Sequence, residues 1–213
     1  MRCSTLNLVH SARRGVRRVV IDTCSQSRNW REAMRDAMRA VALPVVVVTS
    51  SSPDPPFTRR GITCSSFTSK VSLDPPILSF SIQKPRIGHP SRFASLLRHS
   101  GRCAINVLGE HQAHLGTHFS LPTDTEDNQL SEISHFVHRG LPLLDDTIIS
   151  FSCSVLKEVE AGTADLFLVQ VEEIHTPSDV GSSASSEPNE SNLISPTRSR
   201  PLLYHGSQYV KCS

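Results

Sequence analysis

Hydroxyl side chains crowd one short stretch of the chain, Gly61-Ile62-Thr63-Cys64-Ser65-Ser66-Phe67-Thr68-Ser69, which is closed by Ser72-Leu73-Asp74-Pro75-Pro76. A predicted strand at 44–49 precedes this stretch and another at 77–82 follows it. Hydroxyls and backbone amides gathered between two strands can hydrogen-bond a phosphate or the edge of a flat heterocycle. The alternative is a serine-rich loop without a ligand, and residue chemistry alone favours that alternative.

Other sequence motifs that carry chemistry are absent. The chain has no G-x-G, no G-x-x-x-x-G-K and no G-x-S-x-G. The sequence therefore does not support a Rossmann dinucleotide-binding domain, a P-loop nucleotide-binding protein or a hydrolase with a serine nucleophile elbow. Asp74, beside two prolines, is interpreted as a turn former. Cys64 is interpreted as a buried strand cysteine, because no base is evident near it. These residues predict no catalytic side chain.

Three histidines, His111, His114 and His118, fall on one face of a predicted helix at 110–119. Three imidazoles on one face could hold zinc. No Asp, Glu or Cys stands at a convincing fourth position, so the sequence favours a solvated polar stripe. The pair His135 and His138 is a weaker candidate still, and we predict no metal site.

Composition restricts the class of protein. The 213 residues carry a net charge of +2, with 38% hydrophobic and 20% charged residues, which suits one folded domain and no large nucleic-acid footprint. Six cysteines include no C-x-x-C and predict reduced thiols in an intracellular protein. The longest apolar run, 41–48, is far short of the ~20 residues that a membrane helix needs.

The first segment of the chain is basic. Residues 1–21 contain five arginines and no acidic residue, a composition typical of a mitochondrial transit peptide. A disordered basic tail, or a start codon placed too far upstream, would look the same. We therefore predict that residues 1–28 lie outside the fold, with a mitochondrial location favoured and a cytoplasmic one as the alternative, and that 29–213 form the domain.

The remaining pattern predicts a mainly β protein. Apolar residues at helical spacing predict a packing helix over 29–41, and Val45–Thr49 is a β-branched run predicted to be buried on both faces. Short helices are predicted at 91–99 and 110–119, and a Ser- and Pro-rich segment at about 176–200 predicts a disordered insertion. Without regular βαβ alternation, these elements predict an antiparallel barrel with short peripheral helices. The other predicted strands are 59–67, 77–82, 103–108, 147–160, 164–174 and 201–210.

The order of these pieces resembles the flavin reductase-like family of FMN-binding split barrels. The likeness extends over roughly 30–175 and 200–212. The T-x-S-S-F and S-L-D-P-P pieces beside a V-V-V-V-T strand are the most specific part of it. The other matching segments are Ser100-Gly101, Ile105-Asn106-Val107-Leu108, Gly140-Leu141-Pro142-Leu143-Leu144, the strand of Cys153, and Pro201-Leu202-Leu203-Tyr204-His205.

The resemblance implies a fold, a cofactor and partners. Members fold as Greek-key split barrels and form homodimers. Many use NADH or NADPH to reduce FMN or FAD, and the reduced flavin often passes to a partner monooxygenase. Hydride transfer between nicotinamide and flavin needs no protein acid or base, which agrees with the lack of a catalytic side chain. No nucleic acid or membrane is expected among the partners.

The resemblance also implies which residues hold the cofactor. The segment of Thr63, Cys64, Ser65, Ser66 and Phe67 would lie along the flavin ring and ribityl chain. The segment of Ser69 and Ser72 and the loop of Ser91 and Arg92 would lie toward the phosphate, with Asn106 nearby. Lys84, Arg86 or Arg92 could neutralise the phosphate charge.

Two departures from the family pattern matter. Here Lys70 and Val71 separate Ser69 from Ser72, where members typically have one residue, and this predicts a shift of strand register. Many reductases also carry G-D-H where this chain has Ala164-Asp165-Leu166. The sequence thus predicts an NAD(P)H-dependent flavin reductase, with a flavin-binding barrel that lacks catalysis as the alternative.

Overall fold

The computed structural model describes residues 28–85, 91–121, 129–176 and 200–211. The predicted basic segment and the predicted insertion therefore lie almost wholly outside the described residues. No helix within these ranges is long and apolar enough to cross a membrane. Contacts divide the chain into a first unit, 1–38, and a second unit, 39–213.

The described chain contains three helices and twelve strands. The helices are α1 (Arg28–Arg39), α2 (Arg92–Ser100) and α3 (Ala113–His118). The strands are β1 (Leu43–Pro44), β2 (Val46–Ser51), β3 (Arg59–Cys64), β4 (Thr68–Leu73), β5 (Pro76–Gln83), β6 (Arg102–Val107), β7 (His135–His138), β8 (Leu141–Leu144), β9 (Ile149–Ala161), β10 (Ala164–His175), β11 (Leu203–His205) and β12 (Gln208–Val210).

Seven antiparallel strands form the main sheet, in the order β3-β2-β6-β9-β10-β5-β4. Strands β3 and β4 are its two edges, yet only Ser65–Phe67 joins them in the chain. Neighbouring strands are ~4.8 Å apart, so the edges of a flat sheet of this size would be separated by roughly 29 Å. A three-residue connection reaches roughly 14 Å at most. The sheet must therefore curl into a barrel, which agrees with the predicted split-barrel class.

Strand β2 shows how the sequence builds this barrel. Every residue of Val46–Ser51 is buried, as predicted from the run of valines. Val46 and Val48 face one core cluster with Phe80, Ile82 and Phe167. Val45 and Val47 face a second cluster with Leu115, Phe119 and Leu202. Because side chains alternate along a strand, one strand supplies both cores.

Helix α2 begins and ends where the sequence predicts. Ser91 caps its first turn, and its hydroxyl accepts a hydrogen bond from the backbone N–H of Ala94 at 3.5 Å. Gly101 ends it with φ 65° and donates its N–H to Leu97 O at 2.8 Å. A left-handed residue at this position is most easily supplied by glycine. Phe93, Ala94 and Leu97 are buried against the barrel core.

Helix α1 covers Arg28–Arg39, close to the helix predicted over 29–41. The structure corrects three other predicted elements. The strand predicted at 59–67 ends at Cys64, and β4 occupies part of the stretch predicted as a loop. The closing strand predicted at 201–210 is a hairpin of β11 and β12, turned at Gly206 and Ser207. Hairpin β7–β8, which forms a separate two-stranded sheet, was not predicted as such.

Candidate cofactor site

The serine-rich motif joins the two edges of the barrel. Residues Ser65–Phe67 leave β3 and enter β4, and we call this connection the seam. Because the seam belongs to neither strand, its backbone N–H groups can face a ligand instead of a strand partner. A polar connection between two sheet edges can bind a flat, hydrogen-bonding molecule through its free backbone N–H groups.

Ser66 ties the seam to the neighbouring strand β5. Its hydroxyl donates to Ser81 O at 3.2 Å and accepts from Ser81 N–H at 2.9 Å. These two bonds take the place of the two backbone hydrogen bonds that a continuous strand would form with Ser81. The Ser66 side chain therefore has a structural task, besides any contact with a cofactor.

Thr63, Cys64 and Phe67 also contact the protein itself. Thr63 Oγ1 donates to Gly116 O at 2.7 Å, and the Phe67 ring is partly buried against the barrel core. Cys64 is buried, and burial raises the pKa of its thiol to about 12. A thiol that stays protonated agrees with the predicted inert strand cysteine.

Ser65 is the motif residue whose hydroxyl remains available. It is half-buried, and none of the side chains that the structure describes hydrogen-bonds it. This hydroxyl lies beside backbone N–H groups of the seam that belong to no strand. It is a suitable hydrogen-bond donor for a carbonyl oxygen or ring nitrogen of a ligand.

The predicted register shift is present in β4. Thr68 pairs with Ser79, whereas Ser72 pairs with Ile77, so the pairing slips between these two positions. Ser69 is exposed and Ser72 is half-buried. Because the extra chain bulges out of the ladder, the two serines do not have the spacing of a regular strand.

Ser91 and Asn106 have established partners inside the protein. Ser91 serves as the α2 cap, and Arg92 beside it is exposed. Asn106 is fully buried, and its amide nitrogen donates to Val47 O at 3.0 Å and Thr49 Oγ1 at 3.2 Å. Its amide oxygen accepts from Leu144 N–H at 3.0 Å and Ser150 Oγ at 2.9 Å. With both donors and both acceptor directions used, Asn106 is better suited to join strands than to bind a cofactor.

Leu166 lies beside the seam. It pairs with Ser81 across β10 and β5, and Ser81 is hydrogen-bonded to Ser66. Leu166, Ser81 and Ser66 thus lie side by side on three successive segments. The departure from the family pattern at Leu166 is therefore located next to the candidate cofactor cradle, and not at a remote position.

Asp165 forms a buried ion cluster that sequence reasoning missed. It is 3% exposed, with one carboxylate oxygen 3.2 Å from Lys84 Nζ and the other 2.9 Å from Arg98. Lys84 is also 2.5 Å from Glu160, and this hydrogen bond raises the pKa of the lysine. These pairs make a phosphate contact by Lys84 less suitable than predicted. Lys84 directly follows β5, Arg98 lies on α2 and Glu160 lies on β9. Only the completed fold brings these residues together, so no local motif could have shown the cluster.

His111, His114 and His118 form no common cluster among the described residues, and His111 precedes the start of α3 at Ala113. His111 lies 2.8 Å from Asp146, and His118 lies 3.2 Å from the backbone oxygen of Gln129. Both imidazoles therefore face different neighbours, as expected of a solvated polar stripe. His138, a weak candidate from the sequence, has the carboxylate of Glu173 and the imidazole of His175 beside it.

The donor set at the seam fits a flavin. An isoalloxazine edge presents carbonyl oxygens and ring nitrogens, which need neutral donors of the kind that Ser65 and the seam amides supply. The half-buried side chain of Leu166, on the strand position paired with Ser81, adds apolar surface for a flat ring. The described residues thus combine the hydrogen-bonding and apolar features of a flavin site.

The curled antiparallel sheet defines a split barrel, and comparison with known proteins identifies its family. A family model described as "Flavin reductase like domain" matches residues 38–213, so the chain belongs to that family. A probable flavin reductase of Rhizobium meliloti (strain 1021) is 38% identical over 130 residues, and the match covers 61% of this chain but only 39% of that relative. An NADH:FMN oxidoreductase of Rhodococcus erythropolis is 30% identical over 179 residues, covering 83% of this chain and 79% of the relative.

Solved structures give the same fold. The styrene monooxygenase flavin reductase of Pseudomonas putida S12 has a TM-score of 0.63 and 26% identity, covering 84% of this chain and 96% of that one. The flavin reductase PheA2 has a TM-score of 0.64 and 25% identity, covering 85% of this chain and 97% of that one. The mainly β split-barrel class is therefore confirmed.

Proposed function

We propose that the protein is an FMN-binding oxidoreductase that uses NADH or NADPH to reduce flavin. The observation that carries the proposal is the seam, where Ser65 and backbone N–H groups that belong to no strand lie beside Leu166 and Ser81. The names of the relatives support it, since they include NADH-dependent flavin reductases and NADH:FMN oxidoreductases. FAD is the alternative flavin, because one neighbour of the same fold is an NADH:FAD oxidoreductase.

The seam residues have different tasks in this proposal. Ser65 and the backbone N–H groups of Ser65–Phe67 donate hydrogen bonds to the flavin edge, while Ser66 holds the seam against β5. Ser69, Ser72, Ser91 and Arg92 remain candidates for the phosphate end. The bound flavin supplies the two-electron redox chemistry. The protein contributes binding, orientation and fixed donors, which is the usual division between a protein and its cofactor.

Two measurements on the purified full chain test the proposal. We expect added FMN to bind, with a change in its visible absorption, and NADH to be consumed when FMN is present. Ser65→Ala is expected to weaken FMN binding roughly 10-fold through loss of a half-buried donor. Ser95→Ala, at an exposed position on α2, is the matched control. If FMN does not bind to the wild type, the proposal is wrong; equal affinity in both variants removes Ser65 from the site.

Leu166 favours a second candidate function, flavin binding without reduction by NADH. An imidazole can donate a hydrogen bond near a bound ring, whereas Leu166 cannot. Flavin binding without NADH consumption by the wild type supports this candidate. In that case Leu166→His is expected to introduce NADH consumption, and Leu166→Met, which keeps an apolar side chain, is the control.

We propose that the protein forms a homodimer and delivers reduced flavin to a monooxygenase. Support for the monooxygenase comes from relatives that are reductase components, including that of a flavin-dependent trigonelline monooxygenase. Exposed apolar side chains on β4, Val71 and Leu73, are 45% and 78% exposed and offer area for a second copy. Light scattering after gel filtration tests the dimer. A monomeric mass at micromolar concentration contradicts it.

We propose a mitochondrial location from the basic N-terminal composition. Residues 1–28 fused to a fluorescent protein are expected to direct it to mitochondria. The same segment with its six arginines changed to glutamine is the control, since import depends on the positive charge. Diffuse cytoplasmic fluorescence of the unchanged fusion contradicts the proposal.

A further inference from the structure

Two histidines and a glutamate meet at the end of β10 that is remote from the seam. Glu173 and His175 are two residues apart on β10, so they share one face of the strand. His138, at the end of β7, lies against them. Leu166 and Glu173 are separated by seven residues, or roughly 23 Å of strand. The cluster is thus a feature distinct from the cofactor site.

The three side chains present their ligand atoms to a common point. His138 Nε2 lies 2.6 Å from Glu173 Oε2, and His175 Nε2 lies 3.8 Å from the same oxygen. One ligand atom from each residue lies within 4.8 Å of the others. Zinc bonds of ~2.0–2.2 Å in tetrahedral geometry place ligand atoms roughly 3.4 Å apart. The observed spacings lie on either side of this value, so shifts of under about 1 Å would bring the atoms to bonding positions.

Neighbouring groups hold these ligands in place. Arg139 forms an ion pair with Glu173 Oε1, which directs the other oxygen, Oε2, toward the two imidazoles. The ring of His175 packs edge-on against Phe136 and His138. Support of ligands by outer contacts is typical of metal sites. The three ligands are partly buried, so an ion could enter from solvent.

A fourth position is available beside His175. Ser152 Oγ lies 2.9 Å from His175 Nε2. An ion bound at this nitrogen would displace the Ser152 hydrogen bond, and the hydroxyl would then bond a water on the ion. Two imidazoles, one carboxylate and a water form a donor set that suits zinc.

We propose that His138, Glu173 and His175 bind a divalent transition-metal ion of the zinc type, which fastens hairpin β7–β8 to β10. An isolated two-stranded hairpin is marginally stable in water. Here β7–β8 forms its own sheet and supplies buried Leu141 and Leu143 to a small core cluster. An ion shared by β7 and β10 contributes its binding free energy to holding the hairpin in place.

The test is zinc binding by the full chain, purified without a polyhistidine tag and freed of metal with a chelator. Isothermal titration with Zn²⁺ is expected to show a site that is at least tenfold weaker in Glu173→Gln and in His175→Ala. His135→Ala is the matched control, because His135 lies on the same hairpin but contacts Ile133 O at 2.6 Å and is not part of the cluster. Its zinc affinity is expected to equal that of the wild type.

Thermal unfolding provides a second test, which distinguishes loss of zinc binding from poor folding of a variant. Zn²⁺ is expected to raise the thermal midpoint of the wild type and of His135→Ala, and EDTA to reverse the rise. Glu173→Gln, the mildest change, is expected to show a smaller rise at the same zinc concentration. The proposal is overturned if the wild type binds no zinc, if Glu173→Gln and His175→Ala bind it undiminished, or if EDTA leaves the zinc-treated midpoint unchanged.

Discussion

At the residue scale, the sequence predicts where hydroxyls are concentrated but not which of them are already in use. Thr63, Ser65 and Ser66 look equivalent in a list of residues. In the fold, Thr63 bonds α3 and Ser66 bonds β5, whereas Ser65 has no such bond within the described ranges. Partners that lie 53 and 15 residues away cannot be read from local spacing, because only the completed barrel brings them together.

Ser66 and Ser65 are therefore expected to differ when each is replaced by alanine. Ser66→Ala should lower the free energy of unfolding by ~1 kcal/mol, through loss of the two bonds to Ser81 that water only partly replaces. Ser65→Ala should leave it nearly unchanged. Urea unfolding of both variants without flavin measures the difference. Equal stability would show that the seam does not depend on Ser66.

Cys64 is expected to resist alkylation in the native protein. Its thiol has a pKa of about 12, compared with an ordinary 9.0, so at pH 8 its thiolate fraction falls ~1000-fold. Because a raised pKa disfavours the charged form, labelling should increase only as the pH rises toward 12. Iodoacetamide labelling followed by peptide mass analysis measures this. Rapid modification of Cys64 at pH 8, at the rate seen in urea, would contradict its burial.

At the element scale, strands that carry a strong local pattern were predictable. The valines of β2 and the cap and terminal glycine of α2 were identified correctly because short-range chemistry determines them. Strand β4 was missed, since all but one of its residues are exposed and it shows no alternation. Its place at the edge of the sheet depends on pairing with β5, which local residues do not reveal.

The buried side chain of Asn106 hydrogen-bonds three strands, β2, β8 and β9. We expect Asn106→Leu to lower the free energy of unfolding by about 3 kcal/mol or more, because Val47 O, Leu144 N and Ser150 Oγ would lose a buried partner. Thermal unfolding without flavin measures this loss. Normal stability combined with failure to bind FMN would instead assign Asn106 to the cofactor, as the family resemblance implies.

At the scale of the whole molecule, the barrel was predictable from the number of strands and the lack of βαβ units. The ion cluster of Asp165 and the histidine cluster of β10 were not, because each combines residues from separate elements. Asp165 meets Lys84 and Arg98 through contacts 81 and 67 residues apart along the chain, by subtraction of the residue numbers. Such clusters depend on how β10 meets β5, α2 and β7 in the completed fold, which no composition encodes.

The composition of 176–200 predicts that this segment is dispensable for folding. Replacing residues 181–199 with a short Gly-Ser linker should leave the thermal midpoint unchanged, since the segment carries few large apolar side chains to bury. Leu202, which is buried in the second core cluster, is retained. Differential scanning calorimetry compares the two proteins. A clear fall in the midpoint would show that the segment packs against the barrel.

The seam has a consequence for how the barrel moves. Neighbouring strands of the main sheet are joined by backbone hydrogen bonds. At the seam, the hydroxyl of Ser66 makes the bonds to Ser81 of β5 instead. A joint of this kind can open locally while the remaining strands stay paired. The amide hydrogen of Ser81, which Ser66 Oγ accepts, should then exchange with deuterium faster than those of Phe80 and Ile82 in the same strand. Entry of a flat ligand would be governed by the frequency of this opening, independently of how stable the domain is as a whole.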